Sequence, residues 1–292
     1  MKEFYDIYNS LISKIDGNIN LSSVLEFCTY FRCDDINLYN DFMKNYTEVG
    51  YYKSEKLLEL YCKKNGIILS DENANGIFCD LIDNIWNNGI SYHLTTSISA
   101  LNINKYGMDP SKKEADVLED INTLIDSLSE DKVKYFFPFV RDDINMYSYS
   151  SIPKLSVSYG KAPEWYLNLV GHDNDSLDKI IPRLMNSMDD ESVSTKEKMV
   201  SIVSKYHDLY KNSSRVLVVI PCLNPNLTKN ALDSFGVDSV AKLNEGINYF
   251  LCVKRRNIDA KTDKVVPSSE LMFIDVKTRN IVTFEDKNIK HV

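Results

Sequence analysis

The sequence predicts an α+β protein, with a helical bundle in residues 1–88 followed by a mixed part in residues 89–292. Two observations lead to this prediction. Proline is absent before Pro110, while apolar residues recur at helical spacing through the first part. The last third instead contains short runs of β-branched and aromatic residues separated by prolines, which is typical of strands and turns.

Five helices are expected in the first part. One face of the first is marked by Phe4, Ile7, Tyr8, Leu11, Ile12 and Ile15. Similar spacing predicts further helices at 22–31, 35–46, 54–64 and 71–86. Gly66 lies just beyond one of them, where a glycine can adopt the left-handed backbone that ends many helices. Residues 1–88 are therefore expected to form a small bundle.

Beyond Gly89 the pattern changes to a strand at 90–95 and a helix at 97–105 that Gly107 ends. Two capping boxes, Ser111 to Glu114 and Ser194 to Glu197, each predict the start of a long helix. Proline is tolerated in a first helical turn, so a helix is also expected at 162–169. Strands are expected at 215–220, 248–253, 270–275 and 280–284.

Composition and charge exclude several classes of protein. A net charge of −8 argues against extensive non-specific binding to nucleic acid, which needs a concentrated positive surface. No run of about 18 apolar residues occurs, so no membrane-spanning segment is expected. The six cysteines lie mostly in apolar stretches, and the N-terminal residues do not resemble a leader. A reducing, cytoplasmic environment is therefore expected.

Several common catalytic motifs are missing from the sequence. It contains no GxxxxGK[ST], GxGxxG, HExxH or GxSxG pattern, which excludes P-loop nucleotide hydrolysis. The four histidines are scattered along the chain, so no metal centre is expected.

The first candidate site is the predicted strand Gly89-Ile-Ser-Tyr-His-Leu-Thr-Thr96, followed by a helix and the turn Gly107-Met-Asp-Pro110. This arrangement resembles the first motif of ADP-ribosyltransferases of the diphtheria-toxin and poly(ADP-ribose) polymerase type. In that family a strand reading Tyr-His-Gly-Thr, or a variant, precedes a helix and a Gly-Leu-x-Pro turn. The resemblance implies that His93 hydrogen-bonds a ribose hydroxyl of NAD and that Thr95 helps to shape the pocket.

The second candidate site is Glu270-Leu-Met-Phe-Ile-Asp275, which a turn and the predicted strand at 281–284 follow. It is similar to the third motif of the same family, in which a glutamate enters a strand that ends in an aspartate. Breaking the nicotinamide bond develops positive charge on the ribose, and a fixed carboxylate stabilises that charge. The resemblance implies this role for Glu270, so that His93 and Glu270 are the candidate catalytic residues.

A third segment, Lys154-Leu-Ser-Val-Ser-Tyr159 leading into the helix at 162–169, is similar to the middle motif of the family. The resemblance implies that Tyr159 or Tyr166 stacks on the nicotinamide ring, with Ser156 beside it. A flat aromatic face suits a planar leaving group.

Together the three motifs imply an enzyme of the glycosyltransferase class that transfers ADP-ribose from NAD to a macromolecule, or hydrolyses NAD. The implied catalytic domain is a split β-sheet over residues 89–292 with helical insertions, one of them at about 171–214. Residues 1–88 would recognise the target or bind a regulatory partner. The resemblance leaves open whether the acceptor is a protein or a nucleic acid, and it is compatible with a bacterial toxin, an effector delivered to a host cell or a defence protein.

Three other interpretations stay open. The first is a non-catalytic binding or regulatory module of the same fold, which Leu94 favours because a glycine is common at that place in the family. The second is a relative that moves a phosphate from RNA to NAD, for which the arginines are few. The third is an α+β protein in which the three motifs are coincidental.

Overall fold

The computed structural model describes most of the chain and shows a mixed fold of helices and strands. The described residues are 1–46, 54–87, 89–112, 115–138, 147–150, 164–171, 175–221, 235–250, 259–285 and 288–291. The prediction of an α+β fold is confirmed at this level.

The chain divides into two compact units. The first contains residues 1–93, 148–154 and 219–260, and the second contains residues 94–147, 155–218 and 261–292. This division differs from the expected boundary between residues 88 and 89, because it breaks strand β1 after His93 and joins later segments to the first unit.

The helices of the first part lie where the sequence predicts them. They are α1 (Lys2–Lys14), α2 (Leu21–Phe31), α3 (Ile36–Met43), α4 (Ser54–Asn65) and α5 (Asp71–Ile82), which a π-helical turn (Asp83–Asn87) continues. Polar side chains cap the first turns of α2 and α3. Asn20 accepts a hydrogen bond from the backbone of Ser23, and Asp35 accepts two from the first turn of α3.

Helix α2 is the centre of the first part, because ten of its eleven residues are buried. A helix that is buried on all sides needs partners on all sides. It packs against α1, α3 and the π-helical turn. The ring of Phe27 contacts Phe31, Tyr39 and Phe42 at centroid distances of 5.0, 5.4 and 5.6 Å.

Gly66 ends α4 as predicted. It has a φ of 64°, in the left-handed region, and the N–H of Ile67 donates to the carbonyl of Cys62 at 2.9 Å. The chain thereby turns into the short segment 67–70 that leads to α5.

The remaining elements follow in chain order from residue 90. They are β1 (Ile90–Thr96), α6 (Ser97–Tyr106), a 3₁₀ turn (Pro110–Lys112), α7 (Ala115–Ser127), α8 (Glu130–Phe136), β2 (Tyr147–Ser150), α9 (Glu164–Val170), α10 (Leu177–Ser187), α11 (Val193–Lys211), β3 (Arg215–Pro221), α12 (Val240–Ile247), β4 (Asp259–Thr262), a second 3₁₀ turn (Ser268–Glu270), β5 (Met272–Asp275), β6 (Val282–Glu285) and β7 (Asn288–His291).

Five strands form one sheet in the order β4-β2-β1-β3-β5. Strands β1 and β2 are antiparallel, with Tyr92 opposite Ser150. Strands β6 and β7 form a separate antiparallel pair. Of the predicted strands, 90–95, 215–220, 270–275 and 280–284 overlap β1, β3, β5 and β6, so their type is confirmed.

The helical core of the second unit lies between α7, α9, α10 and α11. Helix α11 packs against the other three, and its buried side chains include Met199, Val203 and Tyr206. Residues 171–214, expected to be an insertion, thus supply two of the helices that build this core. Their apolar side chains belong to the same buried cluster as those of α7.

Two local predictions need correction. Residues 248–250 form a π-helical turn at the end of α12 instead of the expected strand, and the rest of that strand lies outside the described residues. The reason is tertiary packing, because Phe250 is buried by Phe78 of α5 and by Phe235. The long helix α11 begins at Val193, with Ser192 as its N-cap, and Ser194 lies inside it.

The first capping box is only partly described. Ser111 lies in the first 3₁₀ turn, where its hydroxyl donates to Asp109, and Glu114 lies outside the described residues. The helix that it predicted is present as α7. Of the cysteines, Cys28 and Cys62 are buried, Cys33 and Cys79 are half-buried, and Cys222 and Cys252 lie outside the described residues. Within the described residues, no helix combines the length and apolarity needed to cross a bilayer.

Two helical glycines should respond to alanine in opposite directions. A Cβ on Gly76 of α5 would meet no atom within 4 Å, whereas one on Gly246 of α12 would lie 2.8 Å from the ring of Phe78. Gly76→Ala should therefore raise the free energy of unfolding by about 0.5–1 kcal/mol. Gly246→Ala should lower it by about 1 kcal/mol or more, because the packed ring has to move. Denaturant unfolding of both variants measures these changes, and a stabilising Gly246→Ala would contradict the packing of α12 on α5.

Candidate functional site

Strand β1 carries the first two candidate residues, His93 and Thr95, and both are half-buried. The strand leads directly into α6, and the next residue, Thr96, caps that helix. Its Oγ1 accepts a hydrogen bond from the backbone N–H of Ser99 at 3.1 Å. The unit of strand and helix that the sequence predicts around His93 is therefore confirmed as local structure.

The start of α6 is fixed to the residue that precedes β3. The N–H of Ser97 donates to the carbonyl of Ser214 at 2.8 Å, and the N–H of Ser214 donates to the Ser97 hydroxyl at 3.2 Å. Ser97 is buried, so these bonds are shielded from water and hold the end of β1 in place.

The turn after α6 lies against the segment that leads to Glu270. Gly107 has φ 79° and ψ −176°, a combination that is essentially restricted to glycine. A Cβ at this position would lie 2.4 Å from the carbonyl oxygen of Val266 and 3.1 Å from the Cα of Pro267. Met108 and Val266 also exchange two backbone hydrogen bonds, of 2.8 and 3.3 Å. The turn that follows α6 is therefore in direct contact with the segment that leads to Glu270.

Glu270 is the last residue of the second 3₁₀ turn and is exposed to solvent. Its backbone N–H donates to the carbonyl of Pro267 at 3.0 Å, which closes the turn. This turn packs against α6. The backbone of Glu270 is thus held from two sides, while its carboxylate remains accessible to a ligand.

Glu270 lies just before strand β5, which is buried and holds the following backbone in place. All four of its residues, Met272–Asp275, are buried. Asp275 ends the strand and accepts hydrogen bonds from the N–H groups of Lys277 and Thr278 at 2.9 and 2.7 Å. Arg279 then adopts a left-handed φ of 65°, and the chain returns with Ile281 paired to Ile274. The sequence predicts this strand, turn and second strand correctly.

The same region contains a tyrosine with a shifted pKa. Burial raises the pKa of Tyr147, at the start of β2, to about 12, and the carboxylate of Asp109 acts in the same direction. Asp109 belongs to the turn that Gly107 begins, and it accepts hydrogen bonds from the N–H and the hydroxyl of Ser111. Tyr147 therefore loses its proton only at a more alkaline pH than an ordinary tyrosine does.

Tyr166 is a core residue, which corrects its expected role as a ring that stacks on a ligand. Its side chain is 1% exposed and belongs to the helical core of the second unit. The ring contacts Trp165 and Tyr210 edge to face, and the hydroxyl lies 3.2 Å from Nδ1 of His207. The apolar spacing of α9 turns the ring into the core, so no face is left for nicotinamide.

Removing the Tyr166 hydroxyl should destabilise the protein without affecting any reaction with NAD. We expect Tyr166→Phe to lower the free energy of unfolding by about 1–2 kcal/mol, because buried His207 loses its hydrogen-bond partner. Denaturant unfolding checks the value, with Tyr135→Phe as control, because Tyr135 is 68% exposed. A change in the Michaelis constant for NAD, with stability unchanged, would contradict the core role.

The other two residues of the middle motif, Ser156 and Tyr159, lie outside the described residues. Thr95, Gly107 and Glu270 belong to the second unit, whereas His93 is the last residue of the first segment of the first unit. Among the residues that the structure describes, no group of three or more histidines, cysteines, aspartates or glutamates could hold a metal ion.

No family model, curated protein or solved structure matches this chain. The resemblance to ADP-ribosyltransferases therefore depends on the quoted residues and on the local structure around them. Sequence reasoning missed the contact of Gly107 with Val266 and Pro267. The glycine at a helix end and the proline shortly before Glu270 are the only local signals of that contact.

Proposed function

We propose that this chain is an NAD-dependent ADP-ribosyltransferase, in which Glu270 stabilises the positive charge that develops on the ribose as nicotinamide leaves. The observation that supports this most directly is the contact of the turn at Gly107 with the segment that enters Glu270. A shared site for the two motifs requires these segments, more than 150 residues apart in the sequence, to lie next to each other, and this contact meets that requirement.

The position of Glu270 suits the proposed chemistry. A carboxylate stabilises a transition state best when it is already in place, because no energy is then spent on reorganising it. The 3₁₀ turn, α6 and buried β5 together fix the backbone of Glu270, and its exposure leaves the carboxylate open to NAD. No metal ion is needed for this step, since the developing charge is positive.

The other residues of the proposal have supporting roles. Thr95 would line the NAD pocket from the end of β1, and His93 would hold a ribose hydroxyl. Tyr159, with Ser156 near it, becomes the proposed aromatic partner of nicotinamide, because Tyr166 is in the core. The fold that we propose for this part is the split β-sheet of the family. Its acceptor would be a protein or nucleic acid, which the helices of residues 1–88 help to recognise.

Release of nicotinamide from NAD by the purified full chain tests the proposal. We expect release above the spontaneous rate, and we also expect NAD to raise the melting temperature. At a concentration 100 times its dissociation constant, a ligand stabilises the folded state by about 2.7 kcal/mol. Release and stabilisation both absent, in the presence of candidate acceptor proteins and nucleic acids, would overturn the proposal. Stabilisation without release would favour the non-catalytic module.

A further inference from the structure

Tyr147 lies on the strand next to the one that carries Thr95. Strands β1 and β2 are antiparallel with Tyr92 opposite Ser150, and this register, continued along both strands, places Tyr147 opposite Thr95. Residues opposite each other in a sheet have their side chains on the same face. Both side chains are half-buried. The aromatic ring of Tyr147 therefore lies beside Thr95, which the proposed function places in the NAD pocket.

A half-buried carboxylate, that of Asp109, lies near this ring. Its negative charge is close enough to raise the pKa of the Tyr147 hydroxyl. Two hydrogen bonds from Ser111, both to Oδ1, hold the carboxylate in the turn after α6. The preceding residue, Met108, is bonded to Val266 in the segment that leads to the second 3₁₀ turn. The tyrosine and the carboxylate thus lie next to the part of the chain that enters the proposed catalytic glutamate.

An aromatic face beside a carboxylate suits a flat cation. A positive charge over the face of a tyrosine ring is stabilised by about 0.5–2 kcal/mol. A carboxylate at the side of the ring attracts the same charge. The nicotinamide ring of NAD is such a ligand, because it is planar and its pyridinium nitrogen makes it positively charged. It loses that charge when the bond to the ribose breaks, since the electron pair of the bond goes to the ring nitrogen.

Resting on the proposed reaction with NAD, we propose that Tyr147 and Asp109 form the subsite for the positively charged nicotinamide ring, which stacks on Tyr147 while Asp109 balances its charge. Both residues belong to the second unit, as do Thr95 and Glu270. Asp109 acts on bound NAD, whereas Glu270 acts on the charge that passes to the ribose as neutral nicotinamide leaves. A flat ring has two faces, so Tyr147 on one of them is compatible with Tyr159 on the other.

The affinities for NAD and NADH test the role of the charge. NADH contains the same groups, but its reduced nicotinamide ring carries no charge. The titrations use the full chain with Glu270→Gln, in which NAD should be cleaved too slowly to interfere. We expect NAD to bind about tenfold more tightly than NADH, since only the charged ring is attracted by both the carboxylate and the aromatic face. Isothermal titration calorimetry at pH 7 gives both dissociation constants.

Single changes in the Glu270→Gln chain assign the two contacts. Asp109→Asn keeps an oxygen that can accept the bonds from Ser111, and it should lower the preference for NAD over NADH about threefold or more. Tyr147→Leu should weaken NAD binding about three- to tenfold, whereas Tyr147→Phe, which keeps the ring, should leave it unchanged. The control is Asp208→Asn, at an exposed residue of α11 in the same unit, which should leave the preference unchanged.

Steady-state kinetics with Glu270 intact separate this role from a purely structural one. Because the ring is neutral once it has left, Asp109 stabilises bound NAD more than the transition state. Asp109→Asn should therefore raise the KM for NAD about threefold or more, while kcat should not fall. A change that only displaced the turn of Gly107 would lower kcat instead, because the carboxylate of Glu270 would be misplaced.

The outcomes distinguish failure of this subsite from failure of the proposed function. If the chain releases nicotinamide but binds NAD and NADH equally, or if Asp109→Asn leaves the preference for NAD unchanged, the subsite is overturned and the function stands. Equal losses of NAD affinity in Tyr147→Phe and Tyr147→Leu would exclude stacking on the ring. If the full chain neither releases nicotinamide nor binds NAD, the proposed function is overturned, and the subsite with it.

Discussion

Replacing Glu270 by glutamine is expected to lower the rate of nicotinamide release from NAD about a hundredfold or more, which is typical of the loss of one charge-stabilising group from an active site. Glutamine keeps the size and the hydrogen-bonding capacity of the side chain but removes its charge. The folded state should tolerate the change, because Glu270 is exposed. The affinity for NAD should change far less than the rate, since the charge on the ribose develops only as the bond breaks.

The matched control for this variant is Glu197→Gln. Glu197 is an exposed glutamate of α11 in the same unit and belongs to none of the segments that hold Glu270, so the Glu197→Gln variant should release nicotinamide at the rate of the unchanged protein. Single-turnover release of nicotinamide, with thermal unfolding of each variant alongside, gives the comparison. Equal rates for Glu270→Gln and Glu197→Gln would remove Glu270 from the mechanism, whatever the origin of the activity.

Replacing Gly107 by alanine is expected to lower the free energy of unfolding by about 3 kcal/mol or more. Two costs add at this position. Its φ of 79° with ψ −176° is unfavourable for any residue with a Cβ, and the new Cβ would lie 2.4 Å from the Val266 carbonyl oxygen. Backbone cannot move aside as cheaply as a flexible side chain, so the turn or the segment that enters Glu270 has to shift.

Gly17→Ala separates the two costs. Gly17 also has a positive φ, of 98°, but a Cβ there would meet no atom within 4 Å. In the Gly17→Ala variant the free energy of unfolding should therefore fall only by the cost of the backbone conformation, about 1–2 kcal/mol. Denaturant unfolding of both variants gives the difference, which measures the close approach of Gly107 to Val266. If Gly107→Ala and Gly17→Ala lowered the free energy of unfolding equally, the turn of Gly107 would not pack as closely on Val266 as the structure indicates.

The effect of Gly107→Ala on release of nicotinamide would connect the two largest predictions. If the turn positions Glu270, a displaced segment should lower the rate even at temperatures where the variant remains folded. A folded Gly107→Ala variant with an unchanged rate would mean that the turn stabilises the second unit without positioning the carboxylate.

Local sequence patterns predicted most of the helices and several strands, because short-range physics determines them. Helical spacing located α1 to α5, and the left-handed position of Gly66 marked the end of α4. The strand, turn and strand from Glu270 to Phe284 were predictable as well, because Asp275 can bond the backbone of the turn that follows it. These features require contacts only between neighbours in the chain.

From the sequence, the local segments of the candidate site could be predicted, but the contact between them could not. Glu270 and the turn of Gly107 each have a local signal, but nothing in either segment shows that they touch. The resemblance to the middle motif of the family implied that Tyr166 stacks on a ligand, but an aromatic ring in that helix suits a core equally well, and there it lies. Chemistry identifies the residue types that can act, whereas packing decides which of them face a ligand.

The sequence by itself determined the α+β class, the helical first part, and the local form of the segments around His93 and Glu270. Only the tertiary structure decided that residues 248–250 are helical, since burial of Phe250 against Phe78 outweighs their strand propensity. Only the tertiary structure joined α12 to the first unit and brought Gly107 against Val266. The physical reason is that long-range contacts depend on the complementary shapes of surfaces distant in the chain, which no local pattern of residues encodes.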